Sequence, residues 1–80
     1  MKFLLENTNT YYLIQLVRVS NNRLIKELKF DDEEEAWEEY NKLFDYAQQE
    51  ANDIEDLVEL SLTLMGTEEE ELAVDYFDYE

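Results

Sequence analysis

Residues 31–56 read Asp31-Asp32-Glu33-Glu34-Glu35-Ala36-Trp37-Glu38-Glu39-Tyr40-Asn41-Lys42-Leu43-Phe44-Asp45-Tyr46-Ala47-Gln48-Gln49-Glu50-Ala51-Asn52-Asp53-Ile54-Glu55-Asp56. Ala36/Trp37, Tyr40, Leu43/Phe44, Ala47 and Ala51 recur every three or four residues, the apolar stripe of an α-helix. The other side carries Glu34, Glu35, Glu38, Glu39, Asp45 and Glu50, with Lys42 as the one cation among them. Asp31 or Asp32 is placed to cap the start, with Glu34 or Glu35 three residues on as a capping box requires. Acids in the first turn also suit the positive end of the helix dipole. The predicted helix runs to about Ala51 or Asn52.

The flanking segments have the other periodicity. Thr10–Val19 is rich in β-branched and aromatic residues and reads as a strand, with Tyr11 and Tyr12 pointing to opposite faces. Ser20-Asn21-Asn22 supplies turn residues that tolerate positive φ, and Arg23–Phe30 returns as the partner strand. Alternation offers the bases of that strand the outer face of the sheet. After the helix, Leu57–Met65 alternates Val58, Leu60, Leu62 and Leu64 against Glu59, Ser61, Thr63 and Met65, a half-buried strand. A helix over Asp53–Leu64 also fits Ile54, Leu57, Val58 and Leu64, but the strict alternation favours the strand. Met65-Gly66-Thr67 holds the one glycine of the chain and marks a turn. Glu71–Tyr79 then alternates again, with Leu72, Val74 and Tyr76 on one side and Ala73, Asp75, Phe77 and Tyr79 on the other, and completes a second hairpin. Lys2–Leu5 reads as a short edge strand, followed by a polar turn over Glu6–Thr10.

The expected fold is therefore α+β: an antiparallel sheet of four strands, or five if Lys2–Leu5 pairs, with one amphipathic helix on one face. The order is β-β-α-β-β, and residues 1–80 form a single domain, because a second core would have too little chain. An apolar fraction of 45% is more than a disordered chain of this charge carries. Neither cysteine nor histidine is present. That excludes disulfides, zinc sites of the usual N/S type and Cys- or His-based nucleophiles. One glycine cannot build a phosphate-binding loop, and Asn52-Asp53-Ile54-Glu55-Asp56 lacks the spacing and the glycine of a calcium loop. We expect no cofactor, no metal and no enzymatic activity. The run Met1-Lys2-Phe3-Leu4-Leu5 is too short for a signal sequence or a membrane span, so a soluble cytoplasmic protein is expected.

Charge is the most informative quantity. The net value is −16, from 22 acids and six bases. Residues 1–30 hold five bases and two acids, a net of +3, whereas residues 31–80 hold one base and twenty acids, a net of −19. A net magnitude of roughly 2–8 suffices to keep a small domain in solution. The excess disfavours nucleic acid or an anionic membrane as a direct partner.

A run of acids is ordinarily a solvated face, and Trp37, Tyr40 and Phe44 at helical spacing are ordinarily core. The acids here exceed what either account needs. Acids at i and i+4 lie about 6 Å apart along the helix axis, so the adjacent pairs Glu34/Glu35 and Glu38/Glu39 make two parallel rows, followed by Asp45. Duplex DNA presents one phosphate per roughly 3.4 Å of axis on each strand. Glu68, Glu69, Glu70, Glu71, Asp75, Asp78 and Glu80 add a second acidic rim, and Tyr76, Phe77 and Tyr79 are placed to anchor a contact. A groove that grips DNA with arginine forks accepts carboxylates in the same bidentate way.

The acidic-aromatic block Asp31-Asp32-Glu33-Glu34-Glu35-Ala36-Trp37-Glu38-Glu39-Tyr40 resembles blocks in type II anti-CRISPR proteins. In size, charge and lack of catalytic residues, the chain resembles the wider class of DNA-mimic inhibitors encoded by phages and mobile elements. The resemblance is one of class and covers the C-terminal two-thirds of the chain. It implies an inhibitor that occupies the DNA-binding cleft of a nuclease of the Cas9 kind, or of another DNA enzyme such as a restriction endonuclease or uracil-DNA glycosylase. The implied partner is a basic nucleic-acid-binding protein, met by a monomer or homodimer. The competing reading is an interaction module in which the open side of the sheet binds a protein partner or a second copy of the chain, and where Tyr12, Arg18 and Arg23 would matter more than the helix acids.

Overall fold

The computed structural model describes residues 10–66 and 68–80. Its elements follow in the order β1 (Tyr11–Arg18), β2 (Arg23–Phe30), α1 (Glu33–Ile54), β3 (Val58–Met65) and β4 (Glu70–Phe77). The strands make one antiparallel sheet ordered β2-β1-β3-β4, so that α1 carries the chain from one edge strand across β1 to β3. This is the expected α+β arrangement, β-β-α-β-β. The region read as strand or helix, 53–64, divides at residue 55: α1 takes Asp53 and Ile54, and β3 begins at Val58. The strand suggested over Lys2–Leu5, most of the turn after it and Thr67 lie outside the described residues.

Register explains why one helix suffices. On the helix side of the sheet, Ile14 sits between Leu28 and Leu62, and Leu16 between Lys26 and Leu60. Leu62 pairs in turn with Ala73, and Val58 with Phe77. Onto these rows α1 lays Ala36, Tyr40, Leu43, Ala47 and Ala51, all buried. Three of the five are alanines, which let the helix backbone approach the sheet closely. Each fully buried Leu, Ile or Val in the layer stabilises the fold by about 1.5–3 kcal/mol relative to exposure. Trp37, Tyr40, Phe44 and Phe77 continue as a chain of edge-to-face rings, 5.3–5.8 Å between successive centroids.

Both edge strands carry an irregularity. The β1–β2 register shifts between Leu16 and Val17, leaving Ile25 without a direct partner. The β3–β4 register shifts between Leu62 and Thr63, leaving Leu72 in the same position. Each extra residue packs against the helix-side core. A bulge thus lets two consecutive residues face inward where alternation allows one. It also corrects the expected faces of β4: Leu72 joins Ala73 and Phe77 in the core, while Val74 and Tyr76 stay outside. The bases of the first hairpin divide likewise, contrary to the outer-face expectation. Lys29 pairs with Leu13 on the open side, whereas Lys26 pairs with Leu16 and lies over the Tyr46 ring of the helix. No bulge separates Lys26 from Lys29, and residues three apart on a regular strand fall on opposite faces.

The ends of α1 are fixed by local bonds. Asp32 is the N-cap, its carboxylate accepting from the Glu35 N–H at 3.0 Å. The helix extends two residues beyond Asn52 and stops at Glu55, which adopts a left-handed conformation (φ 53°) and donates its N–H to the Ala51 carbonyl. The Asp56 N–H reaches the same carbonyl at 3.2 Å. The Asp56 carboxylate then receives Arg18 Nε at 2.8 Å, the Ser20 hydroxyl and the Leu57 N–H. These donors hold its carboxyl well below the usual range, at about 2, the Ser20 bond contributing most. The exit of the helix is thereby fastened to the first hairpin.

Candidate functional site

At 100° per residue, Glu34, Glu38 and Asp45 fall on the line of α1 directly away from Ala36, Tyr40 and Ala47, and all three are exposed. Glu35 is exposed on the flank of that line nearer β2, and Glu39 and Glu50 are partly covered there. Lys42 stands exposed among them. None of these acids has a hydrogen bond or ion pair from a side chain, because the one salt bridge among the described residues joins Arg18 to Asp56. The five predicted helix acids, Glu34, Glu35, Glu38, Glu39 and Asp45, therefore form a common anionic face.

The predicted acids of the second hairpin fall into three groups. Glu70 pairs with Leu64, which pairs with Tyr12, and the Tyr12 phenol is pushed up by burial and by the nearby Glu33 carboxylate. The helix start and the exposed Glu68, Glu69 and Glu70 thus occupy the same end of the molecule. Glu71 pairs with Thr63 across β3. Asp75 turns toward the helix, where its carboxylate lies 2.7 Å from the Tyr40 hydroxyl. The Leu60 carbonyl is 3.1 Å from the same oxygen, and burial and Asp75 push the Tyr40 phenol far up. Asp75 is thus a structural acceptor as well as a surface charge.

Past β4 the chain is tied to the helix flank. Gln48 Nε2 donates to the Asp78 carbonyl at 2.7 Å and to Asn52 Oδ1 at 3.2 Å, and the Glu80 N–H donates to that Asn52 oxygen at 2.9 Å. These bonds bring Asp78, Tyr79 and Glu80 alongside α1, so the helix face continues onto the β4 edge. Tyr79 is half exposed there. Tyr76 does not join it: its ring lies on the far side of the sheet, with its hydroxyl donating to Glu59 at 2.8 Å. Phe77, read as an anchor, is packed against Phe44 instead.

Sequence reasoning passed over Glu33, which accepts from Trp37 Nε1 at 3.3 Å beside the start of the face. It also passed over Gln48 and Asn52. Their signal was available: two amides four residues apart on one helix flank commonly bind backbone or each other.

The basic groups collect elsewhere. Arg18 and Arg23 line a recess of about 240 Å³ with Leu24, Ile25, Ile54 and Glu50, at the junction of the first hairpin and the helix end. It is smaller than most ligand pockets, and Arg18 is committed to Asp56. Among the described residues no group of acids converges with metal-binding geometry, and no helix is long and apolar enough to cross a membrane. Comparison of the chain with protein-family models, with curated proteins and with solved structures returned no match.

Proposed function

We propose that this protein is a DNA-mimic inhibitor of a nucleic-acid-binding defence enzyme, with a CRISPR nuclease of the Cas9 kind as the target. The observation that supports the reading is the acidic face of α1, on which Glu34, Glu35, Glu38, Glu39 and Asp45 stand without an ion-pair partner among the described residues and Lys42 is the one base. Self-repulsion on such a face works against folding. Its presence fits a surface shaped by an interaction with a cationic partner.

The mechanism is competition. A groove built to hold a duplex presents arginine and lysine to phosphate oxygens, and carboxylates receive the same forks bidentately. Occupied by α1 and the β4 edge, it has no room for DNA. The rigid helix holds the carboxylates in place before contact, so little ordering opposes binding. Electrostatic steering between opposite fields speeds the encounter and makes it dependent on ionic strength.

The test is a pull-down of guide-loaded Cas9-type nuclease by the protein and by its Glu38→Lys/Glu39→Lys variant. Circular dichroism establishes that the variant remains folded, as its exposed and partly covered positions imply. The proposal expects capture by the parent at low salt, at least tenfold weaker capture by the variant, and loss of both at high salt. Undiminished capture by the folded variant would refute it. A parallel panel of a restriction endonuclease and uracil-DNA glycosylase reads the target class.

A further inference from the structure

The face of the sheet opposite α1 has a different character from the rest of the molecule. Side chains alternating with the core rows place Val17, Met65, Val74 and Tyr76 on it, around a Leu13 that is already buried. Val74 is 36% and Tyr76 58% exposed. Four charges accompany them: Glu27, Lys29, Glu59 and Glu71. Two of these acids already have neutral donors on the same face, since Gln15 Nε2 donates to Glu27 and the Tyr76 hydroxyl to Glu59, each at 2.8 Å. Lys29, whose ammonium lies 5.4 Å from the centre of the Tyr11 ring, and Glu71 have no ion-pair partner among the described residues. They end the same row, Lys29–Leu13–Thr63–Glu71, at opposite edges of the sheet.

We propose that this face binds a second copy of the chain, sheet on sheet, about a two-fold axis parallel to the strands. That axis lays β2 of one copy over β4 of the other and keeps the rows in step. Lys29 then meets the other copy's Glu71, and by symmetry the pair forms twice. The same operation sets Gln15 over Ser61, Val17 over Glu59 and Glu27 over Val74, so no two like charges oppose. With α1 outside on both copies, the strongly anionic faces point away from each other. At a net charge of −16, that keeps the two acidic helices farthest apart.

Strand spacing and rise give a face of roughly 19 by 26 Å, or about 1,000 Å² buried over two copies. That is the low end of specific interfaces, which places the dimer in a weak, reversible regime. The dimer would present two acidic helices on opposite sides, making the protein bivalent.

Sedimentation equilibrium of the full chain alone, without any target, tests this. At physiological salt the mass is expected to rise from 9.7 kDa toward twice that value as concentration increases. Lys29→Glu and Glu71→Lys each weaken association about tenfold or more, and the two together restore it. Both residues are exposed, so folding is retained. A constant mass of 9.7 kDa at every concentration overturns the proposal. Association indifferent to both substitutions, or not recovered in the double variant, overturns it equally.

Discussion

Tyr40 is the residue on which the helix, the sheet and the acidic face meet. Its ring is buried between Trp37 and Phe44, and its hydroxyl stands against both the Leu60 carbonyl and Asp75. Tyr40→Phe keeps the ring but leaves Asp75, partly buried, without this donor. We expect a loss of about 1–3 kcal/mol in denaturant unfolding. Asp56 makes a prediction of a different kind. Its folded carboxyl titrates at about 2 against an ordinary 3.8, so the ionised form is favoured by folding. Its contribution is complete above the unfolded value and disappears as pH falls through the folded one. The stability difference between the parent and Asp56→Asn is therefore constant from about pH 5 to 7 and narrows from pH 4 toward pH 2. A difference independent of pH would mean that the carboxylate charge is not what Arg18 and Ser20 recognise. The sequence disclosed Tyr40 as a core position through its helical spacing. Its bond to Asp75 joins residues 35 apart, and only the β3–β4 register brings them together.

At the scale of elements, helix α1 and its N-cap were legible because spacing and capping chemistry agreed. Strand β3 was legible because Val58, Leu60, Leu62 and Leu64 alternate with Glu59, Ser61 and Thr63. The two edge bulges were not, since nothing in a strand's own pattern reveals which partner residue it will skip. For that reason Leu72 was assigned to the wrong face, and Tyr76 was grouped with acids from which the sheet separates it. The end of α1 was also placed early, because no glycine follows it. The chain stops the helix with Glu55 in the left-handed region, a conformation that costs an ordinary residue roughly 1 kcal/mol. Its carboxylate also sits at the negative end of the helix dipole, where no base compensates it. Glu55→Gly should therefore stabilise the protein by about 1 kcal/mol in thermal or denaturant unfolding. Destabilisation would indicate that the Glu55 side chain contributes a contact the fold depends on.

For the molecule as a whole, charge separates into a basic first hairpin and an acidic remainder, a division fully visible in the sequence. What composition could not disclose was whether the acids gather or scatter. Folding gathers the helix acids on one outward face, joins Asp78 and Glu80 to it through Gln48 and Asn52, and leaves the opposite face of the sheet weakly charged. Because repulsion among these groups opposes folding, the melting temperature should rise as sodium chloride increases from about 10 mM to 150 mM, over which the screening length falls several-fold. A flat or falling profile would mean that the acids are compensated in a way the side-chain geometry does not contain. The proposed function demands the opposite salt response of binding. The most direct measurement is competition between this protein and a duplex carrying the target and its recognition motif, for guide-loaded Cas9-type nuclease, at about 50 and about 200 mM salt. The account predicts mutually exclusive binding whose affinity drops steeply between the two; a ternary complex with DNA, or an affinity unchanged by salt, would contradict it.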